Sequence, residues 1–366
     1  MAQAHQHISP AEKGSTKDSG LGSARPDSLR RDPDIWFEEG SIVIVAQNVG
    51  FRVHKQLLSS ISPVLRNFFA VPNPAGIRRK PVVSLFNGHR VFKGLPVVYV
   101  SDSAYDMKCA LRAFYDGHKY LNGLSPYIPF SVLSALMRLG HKYQLQDIID
   151  DAARYLEDYF TTDFNIWLQY CREEKDEAFD FSEDEGADIF EAVNLARLTG
   201  TVSILPLALY KCCQQDLAAI MFGIRRKNGD VVHLNQEDVE RCVRARDRLF
   251  RESCRMIDTV TGAPAERSPH CVTHSACSRQ TEILVESFTA MFATLINTDA
   301  LSGLEEQLGS LTSLPEWTQL CNECRKKLVR QHAEKQRETW GNLLDILDLR
   351  HHSLKYRWSG LMSWSH

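Results

Sequence analysis

The sequence predicts a mixed α/β domain, with a small sheet shielded by helices, followed by a mainly α-helical C-terminal domain. Three observations support this prediction. The apolar, β-branched residues 41–46, a turn signal at residues 48–50 and the alternating residues 51–54 indicate a β-hairpin. A second apolar run, at residues 97–101, indicates another strand and is flanked by stretches with helical spacing. Beyond residue 160 helical spacing dominates.

The hairpin and the helices that follow it come first in the chain. Gly50 is predicted to form the turn, because glycine takes a positive φ without steric cost. Residues 51–54 alternate between the two faces of the sheet, as a returning strand does. Apolar residues then recur at helical spacing from Leu57 to Phe69, and Pro63 indicates that a second short helix begins within this stretch.

The rest of the first domain is predicted to contain a third strand, a helix over residues 104–115 and a closing helical pair over residues 132–160. Residues 97–100 are continuously apolar, which predicts a strand covered on both faces. Gly140 is placed in the break between the paired helices. Residues 70–95 are rich in Pro, Gly and basic side chains, which indicates a long surface loop in which Val82 and Val83 can add an edge strand.

The order of these elements resembles a BTB/POZ domain. The residues that carry the resemblance are F-x-V-H-K-x-x-L at 51–58, S-x-V-L-x-x-F-F at 62–69, FYDGHKYL at 114–121 and the leucine-rich helical pair that ends at Phe160. The resemblance covers residues 34–160 and implies an α/β fold that serves in protein–protein interaction. It also implies the partners: a second copy or another BTB protein, or a scaffold such as a cullin-type ubiquitin ligase, for which the chain would act as an adaptor.

The C-terminal region carries a second, looser resemblance. The order C-N-E-C, then His, then W-x-x-L-L-x-I-L-x-L and a final Trp, between residues 321 and 358, is similar to the tails of BTB proteins found in large fungal families. This similarity favours one co-folded helical unit that includes the late cysteines.

Composition sets outer bounds on function. The chain has 366 residues, 43% of them hydrophobic and 24% charged, which suits a soluble protein of two domains. A net charge of −3 argues against wholesale attraction to nucleic acid or membranes. We find no apolar stretch of transmembrane length and no signal-peptide core, so a cytoplasmic or nuclear protein is expected.

The predicted organisation has four parts. Residues 1–31 form a disordered arm, residues 34–160 the BTB/POZ domain, residues 161–188 an acidic linker that starts with a short helix, and residues 189–366 the α-helical domain. The linker carries nine acidic residues and one Lys between residues 173 and 188. We interpret it as a solvated segment, while Phe179 and Phe181 leave open an acidic-aromatic docking motif.

Five arginines recur at spacings of three and four on the helix predicted over residues 236–257, which should begin at an Asn235 N-cap. This arginine stripe is the candidate partner-binding surface and consists of Arg241, Arg244, Arg248, Arg251 and Arg255. Its arginines can hold an acidic partner, phosphate groups or the acidic linker of the chain itself. In the favoured interpretation, Glu237, Asp247 and Glu252 neutralise part of the stripe on a solvated surface. The same helix is predicted to bury Val239, Val243, Leu249, Phe250 and Ile257.

The ten cysteines divide into two groups. Five lie in helical segments without ligand spacing and are predicted to be buried thiols: Cys109, Cys171, Cys212, Cys213 and Cys242. The other five come late in the chain: Cys254, the C-x5-C pair Cys271 and Cys277, and the C-x2-C pair Cys321 and Cys324. The two pairs can close one structural zinc site of four thiolates, with His270, His274 and His332 as substitute ligands, and free buried cysteines are the alternative.

No phosphate-binding glycine loop or nucleophile elbow occurs in the sequence, and its histidines are scattered. We therefore expect an interaction protein rather than an enzyme, in which the first domain self-associates or binds a scaffold and the helical half presents a client. The alternative function is a transcription- or chromatin-associated regulator with a zinc-stabilised C-terminal module.

Overall fold

A small sheet packs against helices in the first half of the chain, and the second half is helical apart from short two-residue strands. The structure is a computed structural model that describes residues 29–70, 84–86, 89–92, 94–124, 127–172, 179–261, 268–292, 298–302, 315–349 and 358. This mixed α/β organisation with a helical C-terminal half is confirmed. Most of residues 1–31, together with Val82 and Val83, lie outside the described residues.

Six strands form the sheet in the order β1-β3-β2-β6-β5-β4. The strands are β1 (Arg30–Trp36), β2 (Ile42–Ala46), β3 (Val49–Val53), β4 (Ser84–Phe86), β5 (His89–Phe92) and β6 (Leu95–Val100). The predicted hairpin is present as the antiparallel pair β2–β3, and β6 lies parallel to β2. Two features were missed: β1 begins inside the predicted arm, and β4 and β5 form a hairpin in the predicted loop.

The turn of the first hairpin differs from the prediction. Gln47, with φ of 52°, takes the positive φ, whereas Gly50 lies inside β3 and pairs with Val45. A Cβ at Gly50 would lie 3.1 Å from the side chain of Leu29. The glycine therefore permits the close approach of the segment that leads into β1, and the prediction of a Gly50 turn was wrong.

The helices of the first half are α1 (Lys55–Ile61), α2 (Pro63–Ala70), α3 (Ala104–Asp116), α4 (His118–Leu124), α5 (Phe130–Tyr143) and α6 (Gln146–Tyr159). Ser103 caps α3 by accepting the Asp106 N–H at 2.9 Å. The break between α5 and α6 lies at Gln144, with φ of 56°, so Gly140 was wrongly placed there. Gly140 is inside α5, where a Cβ would lie 2.7 Å from Ile149 Cγ1, and it lets α6 pack closely.

The two faces of the sheet are covered unequally. Ile42, Ile44 and Ala46 face the main core, while Val43 and Val45 face a small cluster with Phe92 and Val97. Only Val97 is buried in β6, and Tyr99 is 41% exposed. Val98 and Val100, on the other face, are partly buried against the main core, so the prediction that β6 is covered on both faces was wrong at Tyr99.

The segment predicted as an acidic linker is partly folded into the core. Its short helix is present as α7 (Phe164–Cys171), which Asp163 caps. Two short strands, β7 (Ile128–Pro129) and β8 (Phe179–Asp180), pair in parallel and join the two halves of the chain. Phe179 is fully buried, and Phe181 packs with Phe130 and Phe160. Phe179 and Phe181 are therefore core residues, which contradicts the docking-motif alternative.

The second half consists of helices around the same core. The helices are α8 (Glu185–Thr199), α9 (Leu205–Cys213), α10 (Leu217–Phe222), α11 (Gln236–Thr261), α12 (His274–Phe292), α13 (Pro315–Gln319), α14 (Asn322–Gly341) and α15 (Leu343–Ile346). A 3-10 turn (Val202–Ile204) precedes α9, and a hairpin of β9 (Ile224–Arg225) and β10 (Val231–Val232) precedes α11. The main cluster of buried side chains extends from Ile35 in β1 to Trp358, whose ring stacks on Trp340. The two halves therefore share one core.

Helix α11 begins as predicted but buries a different face. Asn235 Oδ1 accepts the Asp238 N–H at 2.9 Å and its amide donates to the Asp238 carboxylate at 2.6 Å, which confirms the N-cap. The buried residues are Asp238, Cys242, Ala245, Leu249, Glu252, Ser253 and Met256, whereas Val243 is exposed. The prediction was wrong about Val243, because Asp238, Glu252 and Ser253 occupy part of the buried face instead. The side chain of Ile257 lies outside the described residues.

Candidate metal centre

Four cysteine sulfurs converge in the C-terminal region, at the two pairs that the sequence predicts. The Sγ atoms of Cys271, Cys277, Cys321 and Cys324 all lie within 4.8 Å of one another. All four side chains are buried except that of Cys321, which is partly exposed. This is the one such cluster of His, Cys, Asp or Glu ligands among the residues that the structure describes.

The first pair lies on a turn and the helix that follows it. The Cys271 N–H donates to the Ser268 carbonyl at 2.8 Å, which folds the chain back before α12. Cys277 lies in the first turn of α12, where its N–H donates to the Thr273 carbonyl at 2.9 Å. Thr273 Oγ1 also lies 3.1 Å from Cys277 Sγ, so this threonine orients the thiol. Sequence reasoning missed Thr273, although a threonine just before a helix is a recognisable N-cap signal.

The second pair has the same arrangement of one turn cysteine and one helical cysteine. Cys321 directly precedes α14, and Cys324 lies in the first turn of that helix. The N–H groups of Cys324 and Arg325 both donate to the Cys321 carbonyl at 3.1 Å, which forms a tight knuckle. The Cys321 N–H in turn donates to Cys277 Sγ at 3.3 Å and so links the two pairs directly.

Packing between α12 and α13 brings the two pairs together. The two helices pack against each other, and Leu284 on α12, Trp317 on α13 and Leu320 just after it are all buried. The Gln280 amide donates to Gln319 Oε1 at 2.6 Å on its exposed side. Helical spacing in the sequence also predicts a helix over residues 282–297 that could bring the two pairs together, whereas the observed α12 starts at His274 and includes Cys277. Residues 293–297 lie outside the described residues.

The separation of the sulfurs fits a tetrahedral thiolate site. A Zn–S bond of about 2.3 Å implies about 3.8 Å between two sulfurs of a regular tetrahedron. Cys321 Sγ and Cys271 Sγ lie 3.8 Å apart, too far for a disulfide bond of about 2.05 Å. All ten cysteines lie within the described residues, and none forms a disulfide. The cluster can therefore bind a metal ion.

The electrostatics of the cluster favour a bound cation. Hydrogen bonding, chiefly from the Cys324 backbone N–H, lowers the pKa of Cys321 to about 6 despite partial burial. Burial raises the pKa of Cys324 to about 12 and also raises the pKa of Cys271. One thiolate is thus stabilised, and further thiolates nearby are disfavoured by burial. A divalent cation would stabilise all four thiolates together.

The three histidines predicted as substitute ligands do not belong to the cluster of four sulfurs. His270 and His274 are exposed beside the first pair, and His332 is buried more than two helical turns beyond Cys324 in α14. Cys254 lies in α11 and is partly exposed. Four of the five predicted buried thiols are buried, whereas Cys171 is exposed, because it ends α7 at the surface.

The arginine stripe is engaged by side chains of the chain itself. Arg241 pairs with Asp238, Arg251 with Asp247 and Arg255 with Glu252. Arg244 and Arg248 both reach Asp348, and Arg248 also donates to the carbonyls of Asp345 and Ile346. Two described acidic residues of the linker pair instead with the β9–β10 hairpin, Asp188 with Arg226 and Glu183 with Lys227. Two arginines of the stripe thus anchor the end of α15 and Asp348 beyond it.

His54, at the end of the hairpin, has a structural role. Its ring Nδ1 lies 3.1 Å from the Tyr115 hydroxyl, which also accepts the His54 backbone N–H at 3.0 Å. These contacts tie the hairpin to α3.

No protein-family model, curated protein or solved structure matches this chain. The BTB/POZ resemblance therefore remains a prediction from the residues. Within the described ranges, every helix is too short or too polar to cross a membrane.

Proposed function

We propose that this protein is a protein–protein interaction module, in which a BTB/POZ-type first half self-associates and a zinc-stabilised helical half presents a client. The fold of the first half supports this proposal through the order of its elements. A hairpin, the helix pair α1–α2, the parallel strand β6, helix α3 and the pair α5–α6 follow one another as the resemblance requires.

The observation that carries the proposal is the apolar surface on α1 and α2. Leu57 is 49% exposed, Ile61 40% and Phe68 39%, and the two helices pack against each other. Leu57 and Ile61 are four residues apart and share one face of α1. Large apolar side chains that stay exposed on two adjoining helices are typical of interfaces. We assign this surface to a second copy of the chain, with a scaffold such as a cullin-type ubiquitin ligase as the other outcome of the test.

The four cysteines supply the second part of the proposal, one structural zinc per chain. Four thiolates leave no open coordination position for water, so the ion would hold the fold and perform no chemistry. When bound, it would join the turn before α12 to the turn before α14. The helical half would then present its surfaces to a client as one rigid unit.

The alternative, a transcription- or chromatin-associated regulator, has less support. Each arginine of the stripe already has a carboxylate partner within the chain. Binding to phosphates would have to displace these pairs. Salt-sensitive binding to duplex DNA that falls when the stripe is neutralised would favour this alternative.

Self-association is tested by light scattering of the full-length protein after size-exclusion chromatography. We expect a dimer for the wild type and a monomer for Leu57→Glu, because a carboxylate would be desolvated in the apolar interface. Leu198→Glu on α8 is the matched control, since Leu198 is 43% exposed on another helix. A wild-type monomer that also fails to bind a cullin would overturn the interaction surface. A wild-type monomer that captures a cullin through Leu57 would replace self-association by scaffold binding.

The metal is tested by elemental analysis of the purified protein. We expect one zinc per chain in the wild type and in Cys109→Ser, and none in Cys324→Ser. Cys109 is the matched control because it is also a buried thiol but lies in α3, outside the cluster. Equal zinc content in both variants would overturn the proposed ligand set.

A further inference from the structure

The four cysteines of the cluster differ in their backbone setting and in their exposure. Cys277 and Cys324 lie in the first turns of α12 and α14, where helical hydrogen bonds hold the backbone. Cys271 and Cys321 lie in the turns that precede those helices. Cys321 is also the one cysteine of the four that solvent reaches, and its sulfur lies 3.8 Å from that of Cys271.

We propose that Cys271 and Cys321 are an oxidisable pair, which a peroxide converts to a disulfide with release of the metal. The inference rests on the zinc site of the proposed function. It adds a modification site and a way to regulate zinc binding, whereas the proposed function describes only a structural ion held by four thiolates.

Geometry selects this pair from the six pairs that four cysteines allow. A disulfide of about 2.05 Å requires the two sulfurs to approach by about 1.8 Å. Both residues precede their helices, so rotation about their side-chain χ1 angles, together with backbone movement at Cys271, can supply the approach without breaking a helix. The main competitor is the C-x-x-C pair of Cys321 and Cys324, since such a pair at a helix start can also close a disulfide.

The chemistry is a two-electron oxidation of two thiolates by hydrogen peroxide. The exposed Cys321 sulfur attacks one peroxide oxygen, the O–O bond breaks, and hydroxide leaves as a sulfenic acid forms. The Cys271 sulfur then attacks the sulfenic sulfur, the S–S bond forms, and the S–O bond breaks. Two protons convert the departing hydroxides to two waters. Zinc keeps its charge and leaves, because Cys277 and Cys324 alone provide two of its four ligands.

Oxidation and chelation should therefore leave the protein in different states. The residues of the pair are 50 positions apart, so the disulfide closes a long loop and keeps the two turns joined after the metal has gone. Chelation removes the metal and leaves no covalent link in its place. The oxidised protein should resist unfolding better than the chelated, reduced protein.

The test treats the zinc-loaded, full-length protein with hydrogen peroxide, follows released zinc with a chromophoric chelator and maps disulfides by mass spectrometry. We expect one zinc per chain to be released together with a Cys271–Cys321 crosslink, and dithiothreitol should restore zinc binding. Cys171→Ser, which removes an exposed thiol on α7, should release zinc equally. In Cys271→Ser, a dimedone probe should label Cys321, since the second sulfur is missing.

Three outcomes would overturn the inference: a disulfide between Cys321 and Cys324, a crosslink through Cys277, or zinc release without any disulfide. Failure of the zinc site itself has a different signature. A wild-type protein that takes up no zinc would refute the metal part of the proposed function, while disulfide mapping of that metal-free protein would still test the pairing.

Discussion

Acid should destabilise this protein through His332 before its carboxylates are protonated. His332 is 4% exposed in α14, and its Nε2 has no hydrogen-bond partner among the described residues. Burial lowers the pKa of His332 from 6.5 to about 4. The unfolded chain therefore takes up a proton below pH 6.5 that the folded chain refuses. Stability falls as the pH drops through 6.5 and stops falling from this source below about pH 4.

The size of the effect follows from the two pKa values. One unit of pKa corresponds to about 1.4 kcal/mol, so the full loss through His332 is about 3 kcal/mol. At about pH 5 the loss is about 2 kcal/mol, which is a large share of the stability of an ordinary domain. At about pH 7.5 the contribution is close to zero, since neither state is protonated.

The assay is urea denaturation at about pH 7.5 and about pH 5 for the wild type and for His332→Leu. The wild type should lose about 2 kcal/mol more than the variant between the two conditions. Acid also protonates zinc-bound thiolates, but this loss is common to both proteins and cancels in the comparison. His141→Gln, at an exposed position of α5, should behave like the wild type. An equal loss in wild type and His332→Leu would refute the reasoning, and loss of zinc in His332→Leu would make His332 a ligand.

Three further predictions concern packing, charge and metal. Gly140→Ala should be about 1–3 kcal/mol less stable than Gly123→Ala in urea melts, because a Cβ at Gly140 lies 2.7 Å from Ile149 Cγ1 whereas one at Gly123 meets nothing within 4 Å; equal stabilities would refute the close α5–α6 contact. Arg226→Met should lower the unfolding free energy by about 3 kcal/mol, because it strips the buried Asp188 carboxylate of its cation, 2.5 Å away. Arg225→Met, at an exposed neighbour, should cost less than about 1 kcal/mol, and similar costs would show that the buried pair is not special. Chelation should speed amide hydrogen exchange in α12 and α13 and leave α5 and α9 protected, whereas uniform change would rule out a local metal site.

Local sequence signals predicted the elements well and failed where packing decides the outcome. Short-range backbone chemistry, which can be read from a few neighbouring residues, correctly predicted hairpin β2–β3, the break at Pro63 and the Asn235 cap. Gly50 and Gly140 were misplaced because glycine also serves where another segment comes close, at Leu29 and at Ile149. A single sequence gives no information about which neighbour will need that space.

The acidic segment shows a second limit of sequence reasoning. Its charge predicts solvent exposure, yet Phe179 and Phe181 anchor it in the core, and Asp188 is buried against Arg226. Two aromatic residues outweigh the neighbouring charges because each buries a large apolar area, while the carboxylates remain near solvent or find a guanidinium partner. The partner lies 38 residues away on the β9–β10 hairpin, so the pairing is invisible locally.

For the candidate metal site, by contrast, the spacing of the cysteines in the sequence identified the four residues. Sequence could not show that the two pairs meet, because their contact depends on α13 packing against α12. The sequence also suggested His332 as a substitute ligand, because histidine binds zinc. In the structure His332 lies more than two helical turns beyond Cys324 along α14, away from the sulfurs.

The proposed metal would link segments whose described buried side chains lie outside the main core. The main core extends through α5, α8 and α9 to Trp340, but Leu284, Trp317 and Leu320 beside the cysteines do not belong to it among the described residues. Four thiolates around one ion would join the turns before α12 and α14 and so add to the buried apolar side chains in holding these helices together. The same arrangement makes the end of the molecule sensitive to oxidants, because Cys321, the sulfur that completes the site, is also the one that solvent reaches.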